Sequence, residues 1–288
     1  MRSRLRAFLA HARKHGAVHA VLTAVLWLAQ RTLERSEDAL LELEGRRGTL
    51  GPAHRRWSAN SAQANRARWQ SWDWSDRGEE WTPSEQWKQT LLQEVLGQTI
   101  PPGGTVLEIG PGAGRWTQTL AERAEHLIVA DVAPVVLELI TERFPAAQTV
   151  LSGGCDLSGV EDASVNAIWS FDVFVHVAPS DQAGYLTEIA RVLKPGGVAV
   201  IHHANGRNLG HLASRHGWRS PMTVELFAAL ARSRTLNVVR VIDRWSQGRH
   251  DLGAYHDAIT VLQAQSAKKP SESVGAPRSS HGSPQPRT

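Results

Sequence analysis

The chain of 288 residues holds a single cysteine, Cys155, which excludes an intramolecular disulfide and any cysteine-rich zinc site. A reducing, cytoplasmic setting is the expectation that follows. No apolar run reaches the roughly 20 residues that span a bilayer. The longest candidate, Ala17–Ala29, is interrupted by His19 and Thr23, and no small-residue cleavage site follows it at the proper distance. Internal repeats are lacking. Glycine and proline, at 24 and 14 residues, are too few for a collagen-like chain, and 21% charged with 41% apolar residues excludes wholesale disorder while supplying a core.

The net charge of +4 is unevenly placed. Residues 1–15 carry +5, through Arg2, Arg4, Arg6, Arg13 and Lys14, and residues 266–288 carry +3, leaving the body between them at −4. A mildly acidic body has no bulk electrostatic reason to hold a phosphate backbone, so no nucleic acid partner is expected. Residues 1–51 read as a helical arm with Val18, Leu22, Val25, Leu26, Leu33, Leu40 and Leu43 on one stripe. Such a stripe packs on the main domain, on another copy of the chain, or on an anionic membrane surface. The tail, 264–288, is rich in Ser, Pro and Gly without periodicity and is expected to be disordered.

Residues 52–81 form a polar, tryptophan-dense cap: Trp57, Trp69, Trp72, Trp74 and Trp81, with Trp87 just beyond, are six of the eleven tryptophans. Thr82-Pro83-Ser84-Glu85 reads as a capping-box start with Pro83 at the first helical position of a helix running to about Leu96. From there apolar runs alternate with helical patterns, the signature of a parallel sheet with crossover helices. Strands are predicted at Thr105–Ile109, His126–Ala130, Ala147–Leu151, Val165–Ser170, Val198–His203, Asn237–Trp245 and His256–Leu262, and helices at Arg115–Arg123, Pro134–Arg143, Ser180–Val192 and Thr223–Ser233. Lys194-Pro195-Gly196-Gly197 reads as a tight turn into the fifth strand. The expected fold is α/β, a doubly wound seven-stranded, mostly parallel sheet over 82–263 that ends in an antiparallel pair. Ligands of such sheets bind beyond the carboxyl ends of the strands.

The first strand runs into Glu108-Ile109-Gly110-Pro111-Gly112-Ala113-Gly114-Arg115, and Asp131 ends the next strand. Glycines there let the backbone approach a ligand closely, and an acid about twenty residues on can hold ribose hydroxyls. Arg115 stands where the dinucleotide fingerprint has its third glycine, so no pyrophosphate need be cradled and a nicotinamide dehydrogenase is disfavoured. With Cys155-Asp156-Leu157, the stretch Phe171 to Val177, and Leu193 to Gly197, these residues resemble class I S-adenosylmethionine-dependent methyltransferases, with a Rossmann-like fold. The resemblance implies S-adenosyl-L-methionine as cofactor. Gly110, Gly112 and Gly114 would pass its methionine part, Glu108 its amino group, and Asp131 with Val132 its ribose. Asp156 and Leu157 would meet the adenine, and Ser170, Phe171 and Asp172 would close over the methionine moiety. On its residues alone, Asp156 in Asp-Leu-Ser also reads as the cap of a local turn.

Within that family the chain looks most like bacterial sugar and polysaccharide O-methyltransferases, through Trp72-Asp73-Trp74, Gly78 to Thr82, His202-His203 and Gly217-Trp218-Arg219-Ser220. That likeness implies a glycan or glycosylated small-molecule acceptor met by Trp74, Trp81, His202, Trp218 and Arg219. A methyltransferase of phenols, amines or carboxylates, and a non-catalytic cofactor-binding assembly protein, are the alternatives. Methyl transfer to a hydroxyl benefits from a base, and Asp172, His176, His202 and His203 lie at strand ends. Strand neighbours face opposite sides, so His202 and His203 cannot both face one pocket. The resemblance places His176 and His203 beside the acceptor as candidate bases. Whether His and Asp groups there also hold a metal is left open by the sequence.

Overall fold

A computed structural model describes residues 60–206, 219–253 and 256–265, together with Val18, Val21 and Val25, which are helical and exposed. Most of the arm, Trp57, Trp218 and most of the tail lie outside the described residues.

Among the described residues after residue 100, strands and α-helices follow the expected alternation as far as β6. They are β1 (Thr105–Ile109), α3 (Thr117–Arg123), β2 (His126–Asp131), α4 (Pro134–Arg143), β3 (Gln148–Leu151), β4 (Val165–Ser170), α5 (Pro179–Val192), β5 (Leu193–Ala204), α6 (Val224–Arg232), β6 (Leu236–Ile242), β7 (Arg244–Trp245), β8 (His250–Asp251) and β9 (Asp257–Ala264). Among the described residues, α1 (Ala62–Gln70) and α2 (Glu85–Leu91) precede them. The main sheet has the order β3-β2-β1-β4-β5-β9-β6, parallel except for β9, which runs antiparallel to both neighbours. The chain reverses direction across the sheet between β1 and β4, where the doubly wound geometry opens a crevice.

Period-two alternation sorts the strand side chains into two layers. On one face Leu107, Ile109, Ile168 and Ile201 pack with Leu186 and Ile189 of α5 and Phe227 and Leu230 of α6. On the other Val106, Val129, Trp169 and Val200 pack with Trp87 and Leu91 of α2, Leu120 of α3 and Ile140 of α4. Buried on both faces, the strands read as continuous apolar runs.

Three local expectations are corrected. Ser84, not Thr82, caps α2: its Oγ accepts from the Trp87 N–H at 3.1 Å, while the Thr82 hydroxyl donates to Glu79, so Pro83 lies before the cap rather than inside the helix. The run Asn237–Trp245 is not one strand. It breaks after Ile242, and Arg244–Trp245 pairs instead with His250–Asp251 in a small separate hairpin. Arg115 and Trp116 precede α3 rather than opening it, which frees the Arg115 side chain to leave the helix. Residues 194–197 do loop out: Val165 faces Leu193 and Ala167 faces Val198, with Gly196 at φ 81° making the turn.

Candidate active site

The carboxyl ends of β1, β2, β4 and β5 border a cavity of about 300 Å³, roofed by the segment from α1 to Trp81. Helix α1 ties the roof down: the Ala62 N–H donates to buried Asp181, the Asn65 side chain donates to the His176 carbonyl at 2.7 Å, and Gln70 accepts from the Val135 N–H. Gly154 lies directly under Ala62, where a Cβ would have no room.

One wall is the glycine turn. Gly110 and Gly112 both line the cavity with positive φ, 71° and 56°, and a Cβ at either would strike Val173 or Trp74. Trp74 therefore lies over the turn, and its indole N–H donates to the Trp69 carbonyl. Gly114 is not part of the lining; it admits Phe144 and Arg143 at the end of α4. Asp131 and Val132 line the cavity, and Asp131 Oδ1 accepts from the Ala133 N–H at 2.8 Å. Burial pushes the Asp131 carboxyl up to about 7. Glu108 stands behind the wall: one oxygen accepts from the Thr117 hydroxyl at 2.6 Å, the other is buried without a partner among the described residues, and burial pushes its pKa up to about 7.

The expected adenine pair falls elsewhere. Asp156 accepts from Gly153 and Ser158, capping its own turn, and Leu157 is fully buried in the α5 layer with its N–H donating to Glu188. Ser170 is likewise structural, its hydroxyl donating to the Ile109 carbonyl and joining the ends of β4 and β1. Phe171 and Asp172 do line the cavity.

The opposite wall is a line of alternating charge that starts at Arg115. The Arg115 guanidinium pairs with Asp172 and lies 4.6 Å from the Trp116 ring centre, with Nη1 buried and unpartnered among the described residues. Burial works against the charge on Asp172, yet Arg115 and His202 beside it hold its carboxyl well below the usual carboxylate range. Asp172 takes φ 61°, a conformation Asp tolerates better than most residues, and its N–H donates to His202 Nδ1 at 3.0 Å; the same nitrogen stands 3.2 Å from its carboxylate. His202 Nε2 is 3.6 Å from Asp257 Oδ2, and Arg219 Nη1 is 2.8 Å from that oxygen. Burial opposes charge on His202, but the two flanking carboxylates prevail and raise its pKa.

His203 is excluded from this wall. Strand alternation turns it into the other layer, where its ring stacks 4.0 Å from Phe227, Nε2 bonds Thr260 Oγ1 and Nδ1 bonds the Ala204 carbonyl, both at 2.8 Å. Burial pushes its pKa down to about 3. It is a satisfied core histidine, and the expectation that it acts as a base is overturned. His176 does line the cavity, its ring centre 5.5 Å from that of Trp69. Trp74, Trp81 and Arg219 also line it. Trp69, Trp74 and Trp81 pack on one another at centroid distances of 5.9–6.1 Å, so part of their area is spent on holding the cap together. Sequence reasoning missed Arg115 and Asp257 as site residues. Arg115 was legible as the departure from a glycine pattern; Asp257 carried no local signal. Among the described residues no cluster of three or more His, Cys, Asp or Glu has the arrangement of a metal site.

Residues 107–201 match the family model described as a methyltransferase domain. Over 131 residues the chain is 29% identical to 2-methyl-6-phytyl-1,4-hydroquinone methyltransferase of Synechocystis sp., covering 44% of this chain and 40% of that one. Over 126 residues it is 30% identical to dimethylglycine N-methyltransferase of Parasynechococcus marenigrum, covering 42% and 44%. The chain thus spans less than half the length of these curated relatives. The structure of a putative methyltransferase in complex with the Haloferax volcanii Trm112 methyltransferase activator superposes with a TM-score of 0.54 at 18% identity, covering 69% of this chain and 98% of that one. The chain carries a class I S-adenosylmethionine-dependent methyltransferase domain, in the Rossmann-like fold of that class.

Proposed function

We propose that the chain transfers a methyl group from S-adenosylmethionine to a hydroxyl, with a glycan or glycosylated metabolite as the acceptor to test first. The cofactor suits the residues present. The glycine turn leaves backbone exposed where a Cβ would intrude, and Glu108 Oε1 and Arg115 Nη1 are buried polar atoms without partners among the described residues, one suited to an amine and one to a carboxylate. In this reading Gly110, Gly112, Asp131, Val132, Phe171, Asp172 and Arg115 hold the cofactor, which supplies a methyl group on a sulfonium. Trp81, His176, His202 and Arg219 face the acceptor.

The observation that carries the reading is the single cavity in which the glycine turn and Asp131 stand opposite an oriented acid and histidine wall, so that a cofactor half and an acceptor half share one space. Closeness and orientation of two reactants account for a large share of such rate enhancements. The half-buried indoles at the cap offer flat apolar faces suited to sugar rings. Incubating the full chain with methyl-labelled cofactor and cell-extract fractions tests this. Label that enters a fraction and is then released with sugar by glycosidases supports the whole reading. Label on an amine or a carboxylate replaces the acceptor class, and label in no fraction sinks the activity.

A further inference from the structure

We propose that Asp257, oriented by Arg219 and His202, receives the proton of the acceptor hydroxyl. The inference rests on the hydroxyl-methylating reading above and names the group that completes it. A hydroxyl entering the cavity must meet a hydrogen-bond acceptor, and most acceptors there are already occupied. Asp131 is on the cofactor wall and accepts from Ala133. Asp172 has one oxygen on Arg115 and the other 3.2 Å from His202. Asp257 differs. Its Oδ2 faces Arg219 and His202, whereas Oδ1 is buried and without a partner among the described residues, on a side chain that is 1% exposed and lines the cavity. A carboxylate oxygen left so is costly unless something arrives to donate to it.

The neighbours define the tautomer of His202. With the Asp172 N–H donating to Nδ1, the neutral His202 ring carries its proton on Nε2, turned toward Asp257. His202 Nε2 and Arg219 Nη1 thus stand 3.6 and 2.8 Å from Oδ2, neither in hydrogen-bonding geometry with it. Strand register sets this up: in the antiparallel pairing of β5 with β9, His202 lies opposite Ile259 and Ala204 opposite Asp257, so His202 and Asp257 lie diagonally across the ladder on one face. Phe171, stacked 4.2 Å from the His202 ring, fixes its plane. The charged groups facing His202 are thus Asp172 from the loop after β4, Asp257 from β9, Arg115 beyond Asp172 and Arg219 beyond Asp257. In the transfer, the hydroxyl oxygen bonds the methyl carbon, the carbon–sulfur pair remains on sulfur, and the O–H proton passes to Asp257 Oδ1. One positive and one negative charge are thereby lost together. His176, the other candidate, lies on the short turn after β4 beside Trp69. The buried unpartnered oxygen is on Asp257.

The test uses the full chain, the extract fraction that the wild type labels, and three variants: Asp257→Asn, Asp257→Glu and His176→Gln. Asp257→Asn is expected to lower labelling by about 10²-fold or more, with calorimetric affinity for S-adenosylmethionine unchanged, and Asp257→Glu to restore part of it. A readout independent of turnover is the His202 imidazole titration, followed by NMR and assigned with His202→Gln. It should lie above the ordinary histidine range and fall in Asp257→Asn. Asp257→Asn labelling at the wild-type rate, or loss confined to His176→Gln, overturns this inference and leaves the methyltransferase reading standing. A His202 titration that ignores Asp257→Asn overturns the orientation. Wild-type protein that labels no fraction overturns the function itself.

Discussion

The wall made by Gly110, Gly112 and Asp131 and the wall made by His202 and Asp257 face each other across one cavity but differ in construction. The first comes from one β-α-β unit, whose turn and strand end lie about twenty residues apart in the parallel β1–β2 pair. The second needs β5 and β9 to pair antiparallel, joining residues fifty-five apart in the chain. The first is a fixed shape of backbone and a buried acid, the part that our proposal gives to the cofactor. The second is a line of charges, Arg115, Asp172, His202, Asp257 and Arg219, in which Arg115 and His202 hold the Asp172 carboxyl down and Asp172 and Asp257 raise the pKa of His202. A shape can be encoded by a local motif; a charge relay depends on which side chains the tertiary fold brings within 3–4 Å.

The largest expected effect tests whether adjacent residues of one strand serve different ends. His203→Ala removes a ring stacked on Phe227 and strips Thr260 of its partner, so it should destabilise the fold by about 3 kcal/mol. Denaturant titration measures this, and methyl transfer per folded molecule should stay at the wild-type rate. A stable variant that cannot transfer would return His203 to the chemistry.

Next comes the cofactor wall. Asp131→Ala removes the carboxylate expected to accept ribose hydroxyls and should weaken cofactor binding by about 2–3 kcal/mol, since bonds to a charged acceptor are worth roughly 1.5–3 kcal/mol each. Unchanged affinity by calorimetry would break the assignment of this wall.

The third prediction concerns Glu108, whose pKa rises from 4.5 to about 7 on folding. Between those values the folded state keeps a proton that the unfolded state releases, so stability is fullest below pH 4.5 and declines as pH rises to about 7. Glu108→Gln removes that dependence. The variant should be more stable than the wild type at pH 8, by an amount on the order of 2 kcal/mol, and equal to it near pH 4. Parallel melting curves across that range would expose a carboxyl that is in fact ionised and paired. The smallest effect lies outside both walls: Ser84→Ala should cost about 1 kcal/mol by removing the α2 cap, with cofactor affinity untouched.

The order of elements was legible because apolar runs buried on both faces and helical spacing are local patterns, and the seven main strands lie where those patterns do. The break at Asp243 was not, since Val241 and Ile242 continue an apolar run, and only the pairing of Arg244–Trp245 with His250–Asp251 ends it. Of the expected cofactor residues, Gly110, Gly112, Asp131, Val132, Phe171 and Asp172 line the cavity. Asp156 does not, because its carboxylate serves Gly153 and Ser158 in a turn, the other role its Asp-Leu-Ser setting allowed.

By itself the sequence determined the doubly wound sheet, the glycine turn with its acid on the next strand, and the fact that His202 and His203 must face opposite ways. These follow from periodicities of two and 3.6 residues and from what glycine permits. Which histidine meets the cavity was decided by tertiary structure alone, because alternation sets relative direction and only packing says which ring lies on Phe227 of α6 and which on Phe171 at the cavity. Asp257 owes its place to the same cause. An aspartate at the start of a strand has many local uses, and its approach to His202 exists only once β9 has inserted between β5 and β6.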